Sequence, residues 1–115
     1  MFLLSYSPYF SELCIHSVLL HFLYREMLAV LVVCEWSYLS WAQKVLNETN
    51  REDFVTCEWV DLHSGDYFEG VVNYLRGLLD REAELADEVE KEKIKRAFLK
   101  AVELEERFFE NAYNV

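Results

Sequence analysis

The chain has 115 residues, 21 Asp+Glu against 11 Lys+Arg, and a formal net charge of -10. That length suits one small domain. An apolar share of 53% with 16% aromatics excludes a disordered chain, while the acidic balance disfavours nucleic acid as a partner. Only 3 Gly and 1 Pro are present, too few turn formers for a many-stranded sandwich or barrel. The expected fold class is all-α.

Charge divides the chain unevenly. Residues 1–50 hold 4 acids and 2 bases, and residues 51–115 hold 17 acids and 9 bases. The first part reads as interior and the second as amphipathic helices with solvated faces. An N-terminal third so bare of charge needs something to cover it.

Residues 1–8 read as irregular, and a first helix is expected from about Ser11 to Tyr24, apolar nearly all round. It lacks the basic start and small-residue cleavage site of a secretory leader. Arg25 and Glu26 interrupt the apolar run, and a second helix is expected from Glu26 to Leu46. Leu13–Tyr24 is too short to span a bilayer, and Met27–Leu46 contains Glu35, Gln43 and Lys44, so the reading is no membrane. Asn47-Glu48-Thr49-Asn50 ends this helix, because Asn and Thr divert backbone hydrogen bonding into turns. Asn47-Glu48-Thr49 also fits a glycosylation acceptor, which is read as coincidence.

A short helix follows from Arg51 or Glu52 to about His63. Ser64 is the expected N-cap of the next helix, from about Asp66 to Leu85, with Phe68, Val71, Val72, Leu75, Leu78 and Leu79 at helical spacing. Gly77 costs that helix about 1 kcal/mol and suggests close packing. A last helix runs from about Glu88 to Tyr113. The Glu/Lys run at 82–95 reads as a solvated face with opposite charges one turn apart.

Two placements are chemically unusual. In the last helix Ile94, Ala97, Phe98, Ala101, Phe108 and Ala112 form an apolar stripe, and Glu105 falls within it. A carboxylate facing a core is costly unless paired, and desolvation moves it toward a range useful for proton transfer. The structural alternatives are a helix rotated so that Glu105 reaches the rim, or pairing with an Arg. Further up the chain, Cys34, Tyr38, Trp41 and Val45 line one helical face. A thiol one turn from a phenol suits a nucleophile with a hydrogen-bonding partner, or simply a small hydrophobe in a core. A nucleophile is expected to titrate low and to outreact Cys14 and Cys57. Three cysteines without a CxxC, and three scattered His, support neither a disulfide framework nor a metal site. A reducing, cytoplasmic setting fits this usage.

Cys34-Glu35-Trp36-Ser37-Tyr38 resembles the Cys-x-x-x-Tyr motif of the TenA/thiaminase II family. Trp59-Val60-Asp61-Leu62-His63 stands where that family has an aromatic-Ile-x-x-Tyr segment. Ser64-Gly65-Asp66-Tyr67-Phe68 looks like its short loop before a long helix. The stretch from Glu105 through Phe108, Phe109 and Ala112 to Tyr113 is similar to its terminal Glu-x-x-Phe-Trp-x-x-Ala signature. The matches run in order over about residues 24–115.

The resemblance implies a helical, haem-oxygenase-like bundle, of which this chain is about the C-terminal half. Residues 1–20 match poorly and residues 21–115 form the family-like domain. It further implies a hydrolase of thiamin metabolism, deaminating 4-amino-5-aminomethyl-2-methylpyrimidine or cleaving thiamin. Carried over by position, Cys34 is the nucleophile that adds to the pyrimidine and Glu105 the acid/base for its ring-nitrogen and leaving-group protons. Tyr38 hydrogen-bonds near the thiol, and His63 occupies the place of a pyrimidine-stacking Tyr. No cofactor and no metal are implied, and the implied partners are a small pyrimidine and further copies of the chain in a homo-oligomer.

Three departures stand out: His63 for Tyr, Phe109 for Trp, and Val33 for a Pro before the Cys. Family members are longer at the N-terminus, where an Asp and a Tyr hold the aminopyrimidine. No counterpart is evident here, although Tyr6 or Tyr9 lies near the place of another pocket Tyr. Two other readings therefore stand beside the hydrolase. One is an inactive helical module that binds a partner. The other is an enzyme of the pyrroloquinoline-quinone synthase branch acting on another small molecule.

Overall fold

The computed structural model describes the backbone of residues 8–114 and the side chains of residues 23–114. Among these residues the chain is all helical: α1 (Pro8–Val45), a 3-10 turn (Leu46–Glu48), α2 (Phe54–Ser64), α3 (Asp66–Leu85) and α4 (Glu88–Tyr113). The all-α expectation holds. Residues 1–7, including Tyr6, and the side chains of Tyr9 and Cys14 lie outside the described set.

α1 is one unbroken helix of 38 residues, not two. Arg25 and Glu26 were expected to divide it, as charges interrupting an apolar run. Instead Arg25 is only 5% exposed. Its Nε donates to Glu82 Oε2 at 3.0 Å and its Nη1 to Glu90 Oε2 at 2.6 Å. One guanidinium thus ties α1 to the end of α3 and the start of α4, and its planar fork of donors suits two carboxylates. The expectation of a fully solvated 82–95 run is corrected at the same point, because Glu82 and Glu90 turn inward. Elsewhere in the run Lys91 pairs with Glu88 at 3.0 Å, on the exposed face.

Glu90 has a second duty. Asp87 Oδ1 accepts from the Glu90 backbone N–H at 2.8 Å, and Glu90 Oε2 accepts from the Asp87 N–H at 3.1 Å. This reciprocal capping box satisfies donors that the first turn of α4 otherwise leaves free.

Between α1 and α2, Thr49 Oγ1 donates to the Val45 carbonyl at 2.8 Å, so the Asn-Glu-Thr-Asn cluster closes the helix as its chemistry suggests. Asp53 caps α2, its carboxylate accepting from Thr56. Ser64 does not cap α3. It is the last residue of α2, and Gly65 alone, in extended conformation, separates the two helices. Gly77 marks no close approach, since an added Cβ would meet only Arg81 Nη1 at 3.8 Å.

The core is Leu28, Ala29 and Val32 of α1 against Leu79 of α3, Ala86 and Ile94, with Leu75, Leu78, Ala97 and Phe98 packed around it. α1 is the central member and packs on all three other helices. Arg76 of α3 lies over the Trp36 ring at 3.7 Å from its centroid, a cation–π contact on the same α1–α3 seam. Toward the end of α4 the apolar stripe is not fully covered. Phe109, not Phe108, packs on Trp41, with ring centroids 3.5 Å apart, while Phe108 is 63% exposed. None of the described helices is long and apolar enough to cross a membrane.

Candidate active site

Cys34 and Tyr38 lie one turn apart on α1, partly buried, on the side that α4 approaches. Glu105 reaches them from α4. Its Oε2 is buried and, among the described residues, has no hydrogen-bond partner, and no described Arg forms an ion pair with Glu105. Most buried polar atoms are satisfied, and an unsatisfied one is a place where a ligand or water group belongs.

The Cys34 thiol is pushed up to about 11. Burial is the largest cause, followed by hydrogen bonding to Glu105 and the negative charges of Glu105 and Glu35. A low-titrating thiol is the sign expected of a nucleophile, and the raised value weighs instead toward the inactive helical module. At neutral pH the sulfur holds its proton, and the thiolate fraction is on the order of one in ten thousand. Any nucleophilic role requires a base to take that proton, and Glu105 is the carboxylate in position. Tyr38 is also pushed up, by burial first and then by the charges of Glu105, Cys34 and Glu35. Its phenol remains a hydrogen-bond donor.

His63 joins through the aromatic rings. Tyr38 meets Trp59 and His63 edge-on, each at 6.0 Å between centroids. His63 stacks on Trp59 at 4.5 Å and takes Phe68 of α3 edge-on at 4.9 Å. One turn of α2 brings His63 Nδ1 to 2.7 Å from the Trp59 carbonyl. A carbonyl only accepts, so Nδ1 carries a hydrogen, and in the neutral tautomer the lone pair is on Nε2. Trp59 and Phe68 were visible in the sequence as motif residues but carried no role there. Their part is to fix the His63 ring, which no sequence period reveals.

An open groove of about 640 Å³ runs along α1, lined by Leu23, Met27, Val30, Leu31 and Cys34, with Ala97 of α4 as the facing wall. Its lining is almost wholly apolar, and Cys34 supplies its one thiol. A second concavity, about 470 Å³, contains Arg51, Cys57 and Asp61 and none of the residues just described. There Arg51 Nη1 donates to Cys57 Sγ at 3.1 Å and to Asp61 Oδ1 at 2.8 Å. Among the described residues the two free thiols differ in their surroundings: Cys34 meets the Glu105 carboxyl, whereas Cys57 meets the Arg51 guanidinium at 3.1 Å as well as the Asp61 carboxylate at 4.0 Å.

Comparison with known proteins identifies relatives of the chain. The aminopyrimidine aminohydrolase of Halalkalibacterium halodurans is 31% identical over 90 residues, covering 77% of this chain and 40% of that protein. The aminopyrimidine aminohydrolase of Helicobacter pylori is 32% identical over 90 residues, covering 77% of this chain and 42% of that protein. The chain thus spans well under half the length of these curated relatives. No solved structure matches it. The TENA/THI-4/PQQC family model matches residues 9–115, and the chain belongs to that family.

Proposed function

We propose that the chain carries the nucleophile and the acid/base of an aminopyrimidine hydrolase of thiamin metabolism. Cys34 is the nucleophile and Glu105 moves the protons. The observation that carries this reading is the unpartnered, buried Oε2 of Glu105 beside the Cys34 thiol. Both relatives are named for aminopyrimidine hydrolysis, which supports the substrate class.

The chemistry follows from the protonation states. Glu105 accepts the thiol proton as the sulfur bonds to the amine-bearing ring carbon of 4-amino-5-aminomethyl-2-methylpyrimidine. The carboxyl passes that one proton to the ring nitrogen, takes it back as the ring rearomatises and delivers it to the departing amine, which leaves as ammonia. Water replaces the sulfur at that carbon, its proton returns to Cys34, and a hydroxypyrimidine is released. Net consumption is one water for one ammonia. Tyr38 donates a hydrogen bond near the sulfur. His63, locked on Trp59, offers an aromatic face and the Nε2 lone pair where a Tyr phenol stands in the family motif.

The test is ammonia release from that aminopyrimidine by the purified chain, with Cys34→Ser and Glu105→Gln as controls matched for helical content. Turnover that falls at least a hundredfold in both variants is the expected result. A folded chain with no turnover overturns the reading of these residues as a self-sufficient catalytic pair and favours the inactive interaction module.

A further inference from the structure

Two carboxylates, not one, act on the thiol and the phenol of the site. Glu35 follows Cys34 in α1 and stands three residues before Tyr38, so it shares a helical edge with the phenol. It is half-buried. None of the ion pairs among the described residues includes it. Arg76, a cation that α3 brings to this part of α1, lies over the Trp36 ring instead.

Glu105 reaches the same thiol and phenol from α4, and its buried Oε2 has no hydrogen-bond partner among the described residues. The charges that act on Cys34 are those of Glu105 and Glu35, and Tyr38 feels both as well. No positive side chain is among them. A partly buried site of one sign draws a ligand of the other, and a buried acceptor without a donor marks where the ligand belongs. The reaction set out above gives Glu105 its work and leaves Glu35 none.

The substrate supplies the missing charge. The aminomethyl group of 4-amino-5-aminomethyl-2-methylpyrimidine is a primary alkylamine, which holds a proton at neutral pH as a lysine side chain does. Glu105 serves the thiol and the ring, so the carboxylate left for the ammonium is the one beside Cys34. We propose that Glu35 is a specificity-determining residue of this site, pairing with the protonated aminomethyl group while Cys34 and Glu105 address the ring. The identity of the ligand rests on the hydrolase reading. The preference for a cation rests on the two carboxylates and on the unpartnered Oε2.

Calorimetric titration of the Cys34→Ser chain at pH 7 tests the proposal, because that variant binds without the nucleophile. The two ligands are the aminomethyl compound and 4-amino-5-hydroxymethyl-2-methylpyrimidine, which puts a neutral hydroxyl where the ammonium stands. The aminomethyl compound is expected to bind about tenfold tighter, the scale of a hydrogen bond to a charged partner. Adding Glu35→Gln is expected to bring the two affinities together while leaving that of the hydroxymethyl compound unchanged. A merely structural role for Glu35 would weaken both alike. Should Glu35→Gln lose ellipticity at 222 nm, Glu35→Asp takes its place and is expected to keep part of the preference. A wild-type chain that shows the preference yet releases no ammonia supports the role of Glu35 and overturns the hydrolase reading alone. Four results overturn the proposal: equal affinity for the two ligands, a preference that survives Glu35→Gln, a preference lost only with Glu105→Gln, or no binding of the aminomethyl compound at millimolar concentration.

Discussion

The Glu105 carboxyl reaches the Cys34 thiol, although the two residues sit on helices at opposite ends of the sequence. The thiol is pushed up to about 11 by burial, then by this carboxyl. The sign of that interaction gives the sharpest test of the site.

Replacing Glu105 with Gln removes a negative charge and a strong acceptor while leaving the burial. The Cys34 titration is expected to fall from about 11 toward its ordinary value of 9.0. At pH 8 the variant then alkylates faster with iodoacetamide than wild type, by about tenfold for each unit of fall. Peptide mapping separates Cys34 from Cys14 and Cys57. Activity and thiol reactivity should therefore move in opposite directions in the one variant, which general damage to the fold does not produce.

Arg25 is the buried cation among the described residues. Arg25→Ala strands two mostly buried carboxylates, and breaking such a pair costs about 3–5 kcal/mol. Arg25→Met together with Glu82→Gln and Glu90→Gln removes the charges as a set and is expected to cost much less. Urea unfolding followed by ellipticity measures both.

The start of α4 depends on Asp87. Asp87→Ala removes one half of the capping box and is expected to cost about 1 kcal/mol. Glu90→Gln keeps a side-chain acceptor for the Asp87 N–H but weakens the bond to Arg25. A double-mutant cycle between Glu90 and Arg25 separates these two duties.

Trp59 holds His63 in place by stacking and through the carbonyl that fixes its tautomer. Trp59→Ala keeps the carbonyl and removes the ring. It is expected to cost about 3–5 kcal/mol at most, since the side chain is 37% exposed and such values belong to buried sites. If His63 stands over the pyrimidine, the same change raises KM more than it lowers kcat. Steady-state ammonia release reads that split.

α3 and α4 are legible in the sequence to their ends, because each combines a clear apolar period with a polar start. α1 was misread at Arg25 because its charge, taken locally, looks like a break. What makes it an interior residue is a pair of glutamates more than fifty positions away, and no local pattern carries that. The same pair misled the reading of the 82–95 run. Glu105 and Cys34 were legible as oddities of placement, and their order along the chain fits the family motif. Their electrostatic relation was not, because it depends on how α1 and α4 face each other. Phe108 was placed inside the stripe by its period. It stays exposed because the apolar face of α4 is wider than the surface the described helices offer it.

α1 has no joint between Arg25 and Cys34. The nine-residue interval is about 14 Å of rigid rod. The two glutamates that grip Arg25 therefore set the azimuth of everything further along it, the thiol included. A roll of one residue's worth at the grip, about 100°, would swing the sulfur off its carboxylate altogether. The ion pairs at one end of the rod act as an indexing pin for the chemistry at the other.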